Sequence, residues 1–426
     1  MSEREIEVHA DLNGMPHRVG TLRVKARGGR STAIFTYDDG WDRVPGRFSL
    51  EPALTVGGGV FTMDKGREMF ASIGDSAPDT WGRRLMQRME RRTAKRESRA
   101  VRTLTEADYL LGVADIARLG ALRFRPVGEA AFQSPLRGGG VPPFVDLPRL
   151  LSVTERVLRD EETDDDLLLL FALGSSLGGA RPKASVVDKD GHLAIAKFPK
   201  DDDDYGIETW EEVALRLADM AGIRTAAHRL ERVAGKPVLL SGRFDRDAAG
   251  RRIPFLSALS MLGLIDGERG SYPELVEALR TYGADTEADA TELFRRMVFN
   301  ILVSNVDDHL RNHGFLWAGE NGWRLSPTYD LNPVPVDVKA HILSTNISLD
   351  EGTCSIDLAR ENAEYFGLSL AQADAILGEV AAATSRWRTV AASLGVKPSE
   401  IDRMETAFEH DERQLAVSAG NRYLSR

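Results

Sequence analysis

Asp307 and Asn312 stand five residues apart in the stretch Asn305-Val306-Asp307-Asp308-His309-Leu310-Arg311-Asn312-His313-Gly314. Where a phosphoryl group passes to a hydroxyl, an Asp that accepts the proton and an Asn that holds a metal ion occur at this separation. Counting five from Asp308 reaches His313, which does not fit, so Asp307 is the better base and Asp308 is left to cap or solvate. Asp330, in Thr328-Tyr329-Asp330-Leu331-Asn332, follows a hairpin around Glu320-Asn321-Gly322 and stands where a second metal-holding acid belongs. Taken singly, each acid could cap a helix or shape a turn. Their order along the chain favours chemistry.

Two upstream features fit the same job. Gly174-Ser175-Ser176-Leu177-Gly178-Gly179-Ala180-Arg181-Pro182-Lys183 is a loop whose three glycines let backbone amides approach phosphate oxygens. It is not a Walker A loop, because no GK[ST] follows the glycines. Lys197 ends the apolar strand Leu193-Ala194-Ile195-Ala196, where it can snorkel or aim its ammonium at phosphates. A Glu on the next helix would steady it. Glu208, Glu211 and Glu212 all qualify, and Glu211 is chosen with little to separate the three. The run Asp201 to Asp204 reads as a solvated loop rather than a metal site.

The elements that must position these residues follow from patterning. Val8–Leu12 and Arg18–Val24 flank Asn13-Gly14, a strong hairpin signal, and Ala33–Tyr37 offers a third strand. Helical spacing predicts helices over 79–102, 106–113 and 147–159, separated by a Gly/Pro-rich boundary at 126–146. Strands at 184–188, 192–198, 227–233 and 236–244 enclose a helix at 208–221 that Gly222 stops. Beyond residue 255 the pattern is mainly helical, notably 290–305, 371–394 and 400–417. This divides the chain into an accessory subdomain (1–130), a nucleotide lobe (145–255) and a helical lobe (256–426).

On these motifs the chain resembles HipA-type Ser/Thr kinases, the toxins of bacterial toxin-antitoxin pairs. The resemblance rests on GSSLGGARPK at 174–183, LAIAK ending in Lys197, Arg243-Phe244-Asp245-Arg246, VDDHLRNH at 306–313 and TYD at 328–330. GDSAPDTWGRRL at 74–85 and RLGAL at 118–122 extend it over nearly the whole chain. It implies an α/β (α+β), two-lobed protein-kinase-like fold with an N-terminal β-rich subdomain. It also implies Asp307 as catalytic base, Asn312 and Asp330 as Mg²⁺ ligands, Lys197 on the ATP phosphates, and Gly178, Gly179, Ala180, Arg181, Pro182 and Lys183 as the phosphate loop. The backbone of Gly242, Arg243 and Phe244 would meet the adenine. His309 and Tyr329, within the two motifs, are counted with the ATP-binding set. Ser176 matches a serine that family members phosphorylate on themselves, with the register open by one residue to Ser175. Gly242 departs from the polar residue or Glu often found before the RFDR motif; a backbone contact tolerates that. The implied partners are a protein substrate, with aminoacyl-tRNA synthetases among the family's targets, and a small helix-turn-helix antitoxin.

Composition sets the outer bounds. The 426 residues carry 55 basic and 65 acidic side chains, a formal charge of -10, which argues against a surface that coats nucleic acid throughout. Yet nine Arg or Lys lie between Arg83 and Arg102, either a solvated helix with neighbouring ion pairs or a local contact for DNA, tRNA or an acidic partner. DNA would be met only through that stretch or through the antitoxin complex. The single Cys354 excludes intramolecular disulfides and cysteine-built metal cages, and is expected to be a small, partly buried residue. Charges at residues 3–5 and the lack of a long apolar run predict neither a signal peptide nor a membrane span, hence a cytoplasmic protein. The reading is an ATP- and Mg²⁺-dependent protein Ser/Thr kinase. A small-molecule phosphotransferase would use the same Asp307, Asn312 and Asp330, and a non-catalytic co-repressor acting with its antitoxin would need none of them.

Overall fold

In the first strand Ile6, Val8, Ala10 and Leu12 alternate, and all four are buried. That period of two sets one face of a sheet against the core. The computed structural model describes residues 2–27, 30–63, 66–132, 147–172 and 179–424. It forms two compact units, residues 1–201 with 232–256 and residues 202–231 with 257–426.

The first unit opens with strands β1 (Ser2–Leu12), β2 (Met15–Arg27), β3 (Arg30–Tyr37) and β4 (Val60–Thr62), then helices α1 (Ala71–Gly74), α2 (Thr80–Arg96) and α3 (Glu106–Gly112), then β5 (Leu122–Pro126). The five strands form one antiparallel sheet in the order β4-β3-β2-β1-β5. Asn13 and Gly14, both at positive φ, make the two-residue turn between β1 and β2, so the expected hairpin is present with longer arms. Strands β4 and β5 were not expected: β4 is only three residues long, and β5 alternates Arg with apolar residues just before the Gly/Pro-rich boundary.

Helices α4 (Leu147–Leu158) and α5 (Asp164–Ala172) precede strands β6 (Lys183–Val187) and β7 (Leu193–Lys197). After helix α6 (Ile207–Met220) of the second unit come β8 (His228–Val233) and β9 (Lys236–Gly242). Strands β6, β7 and β9 are antiparallel neighbours, and their inner face carries Ala184, Val186, Ala194, Ala196, Val238 and Leu240. Trp81 and Leu85 of α2, Leu150, Leu151, Val153 and Val157 of α4, and Leu167 and Leu170 of α5 pack into the same core. Helix α2 therefore shares a core with the strands that carry Lys183 and Lys197.

After β10 (Phe255–Ser257) the chain is mainly helical: α7 (Ala258–Met261), α8 (Tyr272–Tyr282) and α9 (Thr286–Leu302), the hairpin β11 (Gly314–Trp317) and β12 (Trp323–Leu325), then α10 (Ile356–Glu361), α11 (Leu370–Thr384), α12 (Trp387–Ser393), α13 (Pro398–Arg403), α14 (Glu405–Phe408) and α15 (Asp411–Leu424). The single helices expected at 371–394 and 400–417 are each broken. Trp387 restarts the chain as α12 and stacks on Phe408 with ring centres 4.7 Å apart, and Trp210 of α6 closes the cluster. Trp210 Nε1 and the Gly206 amide both donate to Glu400, tying α6 to α13. Cys354 is fully buried, more so than expected.

The basic helix α2 stops at Arg96 rather than Arg102. Ser98 takes a positive φ, and Arg99 and Arg102 turn back onto the buried Glu90. Six of the nine cations in this stretch are paired: Arg83 with Glu106, Arg88 and Arg92 with Glu162, Arg96 with Asp164, Arg99 with Glu90, and Arg102 with Glu90 and Asp108. The acidic run around Asp160–Asp166 is thus largely the counter-charge of α2. Among the described residues only Arg84, Arg91 and Lys95 of the nine are exposed without an ion pair.

Candidate active site

The sequence places its candidates in both units, and each set has its own geometry. In the second unit α9 ends at Leu302, and Ser304 at a φ of 52° turns the chain into the loop that carries Asp307. The loop is held by its own backbone: the His309 amide donates to the Asp307 carbonyl at 2.8 Å and the Asn312 amide to the His309 carbonyl at 2.8 Å. The Asn312 side chain is buried, and its Nδ2 donates to the Asp307 carbonyl at 3.1 Å, so its Oδ1 is left as an acceptor. Asp307 itself is half exposed, with Lys339 Nζ 3.3 Å from Oδ1.

Asp330 lies five residues beyond the end of β12 and not directly after it, at a φ of 60° that a non-glycine residue seldom adopts. Asp tolerates this region because its short polar side chain bonds locally. Asn332 Nδ2 donates to the Asp330 carbonyl at 3.2 Å and to Oδ1 at 3.3 Å. The Asn332 amide donates to Asn305 Oδ1 at 3.0 Å, the Val334 amide to the Ser304 carbonyl, and the Tyr329 hydroxyl to the Arg311 carbonyl. The two segments that carry Asp307, Asn312 and Asp330 are therefore stitched to each other. Left-handed backbone at two such positions is typical of a site whose surroundings fix its conformation.

Asp308 corrects an expectation. It neither caps nor solvates; it is buried, with the Tyr272 hydroxyl donating to Oδ2 at 2.5 Å and His313 Nε2 2.9 Å from Oδ1. Asn300 Nδ2 donates to the Tyr272 oxygen at 3.0 Å, and Asn305 Nδ2 donates to Asn300 Oδ1 at 2.9 Å. With Asn332 this makes an unbroken polar chain from Asp330 through Asn332, Asn305, Asn300 and Tyr272 to Asp308. Burial and the Asp308 carboxylate push the Tyr272 hydroxyl far above its usual range, so it stays a donor. Tyr272 stands 36 residues from Asp308, and no local signal links them. His309 Nδ1 is buried and meets no hydrogen-bond partner among the described residues.

Of the three glutamates on α6, all are buried, but Glu212 is taken up by Arg216 at 2.7 Å and His228 at 2.8 Å. Glu211 belongs to the second unit and Lys197 to the first.

In the first unit Ser176 and Gly178 fall outside the described residues. Gly179 holds a φ of 103°, Ala180 is exposed and Arg181 half-buried, and Lys183 is buried with its Nζ 3.0 Å from Asp79 Oδ2. Burial pushes the Asp79 carboxyl up, against the pull of Lys183 beside it and of the Gly82 amide. Lys197 is half-buried at the end of β7 and pairs in register with Lys183.

Gly242 ends β9 opposite Ala194. The Arg243 amide donates to the Leu193 carbonyl at 2.9 Å, so an adenine contact at this residue would have to use its carbonyl. Its side chain turns inward: Nε and Nη2 each lie 2.6 Å from the buried Asp245. Asp245 also accepts from Arg246 and from the Gly120 amide, while Arg243 donates to the carbonyls of Ala117 and Arg118. The RFDR motif thus clamps the 116–120 segment, and three donors hold the Asp245 carboxyl far below the usual range despite its burial.

Oxygen donors suit a hard cation that keeps phosphates and water among its ligands. Asn312 Oδ1 and the Asp330 carboxylate are of that kind and lie on stitched segments, and the unsatisfied His309 Nδ1 adds a polar atom awaiting a partner. The residues present fit a hard divalent cation of the kind that accompanies nucleotide phosphates.

The chain is similar to several known proteins. The chain is 29% identical over 237 residues to the protein Y4mE of Sinorhizobium fredii, covering 50% of this chain and 54% of that one. It is 22% identical over 222 residues to a protein of Haemophilus influenzae, covering 46% and 64%. Both bear provisional kinase names, and the chain spans less than two thirds of either relative's own length. Among solved structures, HipA of Shewanella oneidensis MR-1, in a toxin-antitoxin complex with HipB and operator DNA, matches over 99% of this chain and 97% of its own, with a TM-score of 0.63 and 17% identity. That likeness establishes the fold as mixed α/β and kinase-like, as the sequence led us to expect. Residues 175–387, half of the chain, match the HipA-like C-terminal domain, and the protein belongs to that family.

Proposed function

We propose that the chain is a kinase that moves the terminal phosphoryl group of ATP to a Ser or Thr hydroxyl of a cytoplasmic protein and to Ser176 of its own glycine-rich loop. The observation that carries this reading is the stitching of loop 304–312 to turn 329–334, which holds Asp307, Asn312 and Asp330 on one framework. Asp307, its side chain half exposed beside Lys339, can meet an acceptor hydroxyl and take its proton. Asn312 Oδ1 and Asp330 would hold Mg²⁺, which supplies charge neutralisation at the phosphates. Lys197 and the backbone of 179–183 would take the phosphate tail, and the 242–244 segment the base.

The solved relative sits with HipB and operator DNA, which supports a small helix-turn-helix antitoxin as partner and DNA contact through that complex. A direct contact from the basic stretch would fall to Arg84, Arg91 and Lys95. Among the described residues no helix is long and apolar enough to cross a membrane.

Incubating the purified chain with ATP and Mg²⁺ should place phosphate on Ser176, or on Ser175 if the register shifts, as read by peptide mass spectrometry. Asp307→Ala should slow transfer by about a hundredfold or more while ATP still binds in calorimetry. Unchanged turnover in that variant would remove Asp307 from the base role. Phosphate found only on added small metabolites would replace the protein kinase with a small-molecule phosphotransferase.

A further inference from the structure

The phosphate loop of the first unit is anchored by a segment with no place in the chemistry described so far. Asp79 precedes α2 and caps it, its Oδ1 accepting from the Gly82 amide at 2.8 Å. Its other oxygen lies 3.0 Å from Lys183 Nζ, with both side chains almost wholly buried. Two residues on, the Trp81 amide donates to the Gly179 carbonyl at 3.4 Å. One short segment, 79–81, thus grips both ends of 179–183. The grip is close: a Cβ on Gly179 would stand 3.1 Å from Lys183 Nζ.

Charge gives the contact a second consequence. Lys183 and Lys197 are directly opposed across β6 and β7, an arrangement that repels when both ammonium groups are bare. A carboxylate on Lys183 removes most of that repulsion.

We propose that Asp79 is a positioning residue for the nucleotide, acting through Lys183 to fix the 179–183 backbone and to neutralise the cation opposite Lys197. Lys183 is then a strut of the phosphate loop, and its ammonium serves Asp79. The inference rests on the kinase reading.

The test compares the full-length wild type with Asp79→Asn, Asp79→Glu and the paired Asp79→Asn/Lys183→Met, measuring Mg·ATP affinity by calorimetry, KM and kcat for ATP turnover, and melting temperature. Asp79→Asn takes a carboxylate away from a buried cation and should melt earlier; the paired variant removes that cation and should regain most of the lost melting temperature. In the paired variant KM for ATP should still rise about tenfold with kcat changed less than threefold, and Asp79→Glu should restore part of the affinity. A stably folded paired variant with wild-type KM and ATP affinity overturns the proposal and leaves the kinase reading intact. A wild type that neither binds nor turns over ATP overturns both.

Discussion

Asp307 and Asp308 are neighbours in sequence with opposite surroundings. One is half exposed beside Lys339; the other is buried and accepts from Tyr272. A buried carboxylate is tolerated only when its lone pairs are met, so Asp308 depends on the Tyr272 hydroxyl as the Asn300 amide does. Tyr272→Phe strands both groups and should destabilise the protein by about 2–4 kcal/mol, read as a lower midpoint in urea. A loss below about 0.5 kcal/mol would mean that water replaces the hydroxyl and that the polar chain is not structural. The Asp307 and Asn312 spacing was visible in sequence because five residues of one loop fix it. The role of Asp308 was not, because its partners come from α8 and from His313.

At the scale of elements, helices α11 and α15 cross where Gly378 meets Gly420. A Cβ on Gly378 would stand 2.7 Å from the Gly420 Cα, and one on Gly420 2.5 Å from the Gly378 Cα. Alanine is the better helix former by about 1 kcal/mol, but overpacking a tight contact costs about 1–3 kcal/mol. Packing should win, so Gly378→Ala is expected to lower the melting temperature. A rise would show that the helices can separate without loss. The same competition explains the broken helices of the second unit. Periodicity alone carries 371–394 as one piece, whereas burying Trp387 on Phe408 demands a change of direction after Thr384. The end of α2 has a similar cause, since Arg99 and Arg102 are drawn back to Glu90.

For the whole molecule, pH is the simplest handle. His410 is pushed down to about 4 by burial and by His341, whose ring centre lies 4.7 Å away. His341 is lowered too, mainly by burial. A depressed histidine stays neutral in the folded state while the unfolded chain takes up its proton. Stability should therefore be unaffected above about pH 6.5 and fall as pH drops from there towards 4, by on the order of 3 kcal/mol from His410. Urea midpoints measured between pH 7.5 and 4.5 check this, and His410→Phe should flatten that part of the curve. A profile unchanged by the substitution would assign the acid sensitivity elsewhere. The charge of -10 is equally a matter of distribution. Because Glu162 and Asp164 already hold Arg88, Arg92 and Arg96, replacing those three with Gln should cost stability more than it alters the salt dependence of any DNA complex.

By itself the sequence determined what is local. The Asn13-Gly14 hairpin, the strands around Lys197, the Asp307–Asn312 spacing and the order of glycine loop, lysine and two acids are all set within a few residues of chain. Tertiary structure decided which charged groups are buried and who neutralises them. Asp79 finds Lys183 across 104 residues, and Arg243 finds the carbonyls of Ala117 and Arg118 across more than a hundred. A charge leaves water only against a partner of opposite sign or a full set of hydrogen bonds, and in a folded chain that partner can come from any distance along the sequence. Side-chain type and spacing therefore named the chemistry to test, while desolvation, a property of each packed unit, decided that Asp308, Asp245 and Lys183 are buried against partners of their own.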